Sequence, residues 1–85
     1  DRDLHLQISP GMFVYVESYS SELQEGRKFS LEKFDGQKLL DKIMAEKIIY
    51  DTTNGTWIIK NYYERTFDST DQKLVFGDEK ELTGL

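Results

Sequence analysis

Residues 45–63 read AEKIIYDTTNGTWIIKNYY, and this stretch decides the fold. Ile48, Ile49 and Tyr50 precede Asn54-Gly55, and Thr56, Trp57, Ile58, Ile59, Tyr62 and Tyr63 follow it. β-Branched and aromatic side chains of this kind suit a pleated, half-buried surface. Asn-Gly between them predicts a hairpin closed by a two-residue type I′ turn, because both central residues of that turn take positive φ and Asn and Gly tolerate it best.

Immediately upstream, residues 37–48, QKLLDKIMAEKI, are ambiguous. Leu39, Leu40, Ile43, Met44 and Ile48 fall at helical spacing among good helix formers. Asp35-Gly36 just before them, however, is a second hairpin signal, and the β-rich stretch follows directly. The residues alone leave helix and strand open. Further out, residues 27–34 alternate, with Phe29 and Leu31 on one face and Lys28, Ser30 and Glu32 on the other. Residues 20–26, SSELQEG, form a polar loop, and residues 12–19, MFVYVESY, are apolar or aromatic at nearly every position. That density predicts a strand central to the sheet. Pro10-Gly11 marks a turn, and before it Leu4, Leu6 and Ile8 alternate with His5 and Gln7. Downstream of the hairpin, residues 64–67 continue the strand and residues 68–71 cluster turn formers. Residues 73–76, KLVF, predict a last strand, and the charged residues 77–85 predict an edge or a departing tail.

The chain has 85 residues, one domain's worth. A domain this small buries only roughly 60% of the surface its unfolded chain exposes, so its core is thin. No cysteine is present to staple it. The net charge of −5 and the pI near 4.8 argue against a sequence-independent grip on nucleic-acid phosphate, which needs clustered Lys and Arg. No apolar run approaches the ~20 residues that span a bilayer. The chain begins with Asp, which suggests a piece cut from a longer protein.

Catalytic chemistry finds little to work with. The single histidine, His5, stands alone on a strand with no thiol anywhere to activate. The carboxylates Asp78, Glu79 and Glu81 are neighbours in sequence, which is not the facing geometry of an acid–base pair. Neither the ligand spacing of a calcium loop nor a phosphate-cradling glycine motif occurs. No enzyme, metal or cofactor is expected. Phe13, Tyr15, Tyr19, Trp57, Tyr62 and Tyr63 are read as core and cross-strand packing in preference to a stacking platform, given the acidity.

The order of these pieces carries a resemblance. ISPGMFVYVESY, followed by FSLEKFDGQKLLDKIMAEKIIYDTTNGTWIIKNYYERTF, resembles the periplasmic domain of the LptF/LptG (YjgP/YjgQ) permease family of the inner-membrane lipopolysaccharide exporter. The matching features are Pro10-Gly11, the strand from Phe13 to Glu17, Asp35-Gly36, Leu39 and Leu40, Ala45, Asp51 and Trp57, and the match covers residues 4–67. The wording is similar to versions from the Bacteroidetes. The resemblance implies an all-β fold, an antiparallel β-jellyroll or open β-sandwich, partial here, in which residues 37–50 belong to strands. It also implies a non-catalytic periplasmic domain of an inner-membrane permease that shields lipopolysaccharide and passes it toward an LptC-like jellyroll protein. The further partners implied are the paired permease subunit and a cytoplasmic ATPase subunit.

Seven residues are expected to face the lipid, as inward members of their strands: Val14, Val16, Phe29, Leu31, Ala45, Trp57 and Ile59. Leu4, Leu6 and Ile8 at one end, and Leu74 and Phe76 at the other, are the expected edges for strand pairing with a neighbour. The competing reading is a β-sandwich interaction module with a closed core and no lipid ligand.

Overall fold

The computed structural model describes residues 2–85, and its architecture follows from turn chemistry repeated along the chain. Six strands run in order: β1 (Arg2–Ser9), β2 (Met12–Ser20), β3 (Glu25–Asp35), β4 (Lys38–Asp51), β5 (Thr56–Phe67) and β6 (Gln72–Leu82). Each pairs antiparallel with its sequence neighbour, giving one open six-stranded sheet in the order β1-β2-β3-β4-β5-β6. The all-β, antiparallel architecture expected from the sequence is thus present, with simple up-and-down connections. β1 and β6 are the free edges. β2 is paired on both sides, yet β3 and β4 are the central strands; the apolar density of β2 reflects side chains on both of its faces.

The ambiguous segment is strand throughout, as β4. Ile43 and Ala45 are buried and pair with Leu31 and Phe29, so tertiary pairing overrides helix propensity. Of the two readings of residues 77–85 the edge holds and the tail does not: edge strand β6 runs to Leu82, which is buried in the core.

The turns differ in kind. Pro10-Gly11 joins Ser9 to Met12 with Gly11 at φ +76°, as a type II turn requires. Gly36 and Gln37 join Asp35 to Lys38 with positive φ at Gly36 alone, the arrangement of type II′ turns. Asn54-Gly55 does not form the expected two-residue type I′ turn. Asp51 pairs with Thr56, so the loop has four residues, 52–55, and only Gly55 has positive φ (+68°). The Asp51 carboxylate accepts hydrogen bonds from the backbone N–H of Thr53 (2.9 Å) and from the Asn54 side chain (3.1 Å), while Gly55 N–H donates to the Asp51 carbonyl (2.7 Å). That capture holds Asn54 in ordinary φ and leaves glycine to make the left-handed step.

A transverse fold line bends the whole sheet. One position per strand, Asp3, Glu17, Lys28, Glu46, Asn61 and Asp78, drops out of the ladder, flanked by registered pairs on both sides. On the alternate strands β1, β3 and β5 this residue has positive φ: Asp3 +53°, Lys28 +58° and Asn61 +50°. Side-chain alternation resets there. The row Val16, Phe29, Ala45, Tyr62 points inward, and the next inward row is Tyr19, Gly26, Ile48, Ile59, three residues away along each strand. Two outward positions therefore adjoin, and the sheet closes over its concave side as at a bulge.

The core lies inside that bend: Val14, Val16, Phe29, Leu31, Ile43, Ala45, Ile48, Ile59 and Leu82. Gly26 sits in it because a Cβ there would come within 2.9 Å of Ile48 and Val16. Lys28→Gly is expected to leave stability unchanged within about 0.5 kcal/mol or to raise it, since a left-handed residue loses its Cβ strain. Arg27→Gly, one residue away at ordinary φ, is expected to cost about 1 kcal/mol, as glycine does in a strand interior. Urea midpoints of the two variants check this; equal losses would remove the fold line from the account.

Candidate functional site

The concave face is filled at one end and open at the other. Over β3, β4 and β5 the side chains of Leu31, Ala45 and Ile59 are sealed in the core. Toward β1 the packing gives way to a trough of about 420 Å³. Val14, Val16, Phe29 and Ile48 line it from β2, β3 and β4, Tyr19 and Trp57 add aromatic surface, and Leu4, Leu6 and Ile8 wall it from the edge strand. Gly84 and Leu85 complete the rim. Among the described residues, no charged side chain lines it.

All seven expected lipid-facing residues share the concave face. Val14, Val16, Phe29 and Trp57 line the trough, whereas Leu31, Ala45 and Ile59 lie in the filled half. The expected edge residues are on edge strands. Leu4, Leu6 and Ile8 on β1 also face the trough, and Leu6 is 55% exposed. Leu74 and Phe76 on β6 are exposed on the other face, Phe76 packing beside Tyr63 at 6.1 Å between ring centroids.

Tyr19, Ile48 and Leu85 were not legible as lining residues. Strict alternation from Val16 and Ala45 turns Tyr19 and Ile48 outward, and only the reset at the fold line returns them. Trp57 packs against two rings, Tyr50 at 4.9 Å and Tyr19 at 6.4 Å between ring centroids. His5 is exposed and packs against Tyr15 at 4.7 Å, with Tyr15 donating to the Asp3 carboxylate at 2.9 Å.

Away from the trough, the continuation of the same face over β4 to β6 is polar. Lys80 donates to Glu64 at 3.0 Å, and Asp41 lies beside them. Burial, then a shared hydrogen bond with Glu64, raises the Asp41 carboxyl above the usual carboxylate range. Burial works to raise Glu64 too, but the Lys80 ammonium and the Asp41 hydrogen bond outweigh it and lower Glu64. Lys80 is raised by the bond to Glu64. For Asp41, protonation favours folding, a contribution complete below the ordinary carboxylate pKa and lost as pH rises through its raised value. For Glu64 the sign reverses: its contribution is present above the ordinary pKa and lost as pH falls through the lowered one. Asp41→Asn is therefore expected to raise the urea midpoint at neutral pH, a gain that vanishes in acid where Asp41 is protonated. A gain that persists in acid would point to packing instead of charge.

Among the described residues no group of three or more His, Asp or Glu side chains converges on a metal site. No helix among them is long and apolar enough to cross a membrane. No protein-family model matches the chain, and no curated protein matches it significantly. The sheet and its trough therefore define the class: a single-layer, bent antiparallel β-domain with a one-sided apolar cavity.

Proposed function

We propose that this chain is a non-catalytic periplasmic domain of an inner-membrane lipopolysaccharide exporter, which shields lipid acyl chain from water as it passes toward a jellyroll partner. The observation that carries the reading is the uncharged trough on the concave face, open to solvent and walled by aliphatic and aromatic side chains. Each CH₂ taken from water into such a trough is worth about 0.8 kcal/mol, so shielding a short run of chain suffices to hold it. The free edges β1 and β6 support the second half of the reading, since an unpaired strand offers main-chain groups for sheet extension into an LptC-like neighbour or the paired permease subunit. Energy would come from the separate cytoplasmic ATPase subunit that the resemblance implies.

The sealed packing around Leu31, Ala45 and Ile59 favours the second reading, an interaction module whose core binds nothing. A photocrosslinking side chain separates the two when placed at Val16 or Trp57 in the intact permease complex, with outward-facing Tyr63 as the control. Lipopolysaccharide adducts at the two trough positions and none at Tyr63 are expected. An active transporter that gives no adduct at either trough position would overturn the shielding role.

A further inference from the structure

The two edges of the sheet make no hydrogen bonds to one another, yet the trough beside β1 is rimmed by residues that follow β6. Leu82 ends β6 in the core, Gly84 takes φ +84°, and Leu85 then lines the trough opposite the aliphatic wall of the far edge strand. At 41% exposure, Leu85 is an exposed residue only partly covered by the trough it lines. Gly84 makes the step because left-handed φ carries no penalty without a Cβ.

We propose that Gly84 and Leu85 form a strap across the open side of the trough, and that a single acyl chain enters by displacing Leu85. One chain is the fitting ligand on size. The volume of about 420 Å³ lies low in the ~300–1,000 Å³ range of small-molecule sites, and among the described residues no cation on the lining recognises a headgroup. Leu85 thus competes with the ligand for the same apolar contacts, and the strap sets both affinity and exchange. The strap itself stands on geometry; the acyl-chain half rests on the shielding role proposed above.

Trp57, the only tryptophan, lines the same trough and reports on both halves. Leu85→Ser and Leu85→Met alter a side chain beyond the last strand and leave the sheet's hydrogen bonds in place. With the strap seated, L85S is expected to increase acrylamide quenching of Trp57 about twofold, while L85M behaves as the parent. Dodecanoic acid brominated at its terminal carbon, which quenches an indole it touches, is expected to bind L85S about fivefold more tightly than the parent, because part of a leucine's burial no longer opposes it. Unchanged acrylamide quenching in L85S overturns the strap whatever the fatty acid does. Raised acrylamide quenching with no bromine quenching in any variant supports the strap and overturns the acyl-chain site. Weaker fatty-acid binding by L85S would make Leu85 part of the wall and overturn the competition.

Discussion

Phe29→Ala is expected to remove about 3–5 kcal/mol of stability, the usual cost of emptying a buried aromatic site. Phe29 is 1% exposed and pairs with Val16 on one side and Ala45 on the other, so it joins three strands of the core. A chain of 85 residues has about 4–13 kcal/mol of stability in all, at ~0.05–0.15 kcal/mol per residue. The substitution therefore takes a large share. Urea unfolding followed by Trp57 fluorescence and far-ultraviolet circular dichroism measures it, with Ser30→Ala on the opposite face expected to stay within about 0.5 kcal/mol. A loss below about 1 kcal/mol would mean that the site collapses freely, which the close packing of a bent sheet does not allow.

Gly11→Ala is expected to cost about 2–4 kcal/mol, from two sources that add. Gly11 has φ +76°, where an alanine is strained, and a Cβ there would overlap the carbonyl oxygen of Phe34. That oxygen belongs to backbone and cannot swing aside. Phe34 N–H also donates to the Gly11 carbonyl at 2.7 Å, beside the register shift between Lys33 and Phe34, so the turn is fastened to β3. Gly36→Ala separates the two sources: Gly36 has φ +61° with nothing within 4 Å of its missing Cβ, and only the strain of about 1–2 kcal/mol is expected. Equal costs at the two glycines, read from urea midpoints, would remove the contact with Phe34 from the account.

The strands were readable where period two holds without interruption. Period two places Val14 with Val16, Phe29 with Leu31, and Trp57 with Ile59 on one face, because each pair lies on one side of the fold line. Ile48 and Tyr19 lie across it from Ala45 and Val16, so period two does not place them on the lining, although Tyr19 packs against the core as the sequence implies. A signal for the reset was present in the chain: each strand carries two adjacent polar residues at the bend, Arg2-Asp3, Glu17-Ser18, Arg27-Lys28, Glu46-Lys47, Lys60-Asn61 and Asp78-Glu79. Six such pairs aligned across neighbouring strands cannot all be edges or ends. The pairing that aligns them is long-range, so no single stretch displays it. The Asn54-Gly55 loop failed for the opposite, local reason, since Asp51 three residues earlier supplies a carboxylate that competes for the turn's N–H groups. Leu85 had no signal, because its place depends on how far the sheet curls.

The fold line also limits what may join this sheet. Both free strands are interrupted, β1 at Asp3 and β6 at Asp78, so neither offers a straight row of main-chain groups from end to end. A flat strand laid along β6 would hydrogen-bond over residues 72–77 and then run off into solvent where the edge turns. To continue past that point the incoming strand must bend at the same place. A strand added to either edge is therefore expected to pair along its full length only where it carries a matching crease, and a generic flat β-segment only up to the corner.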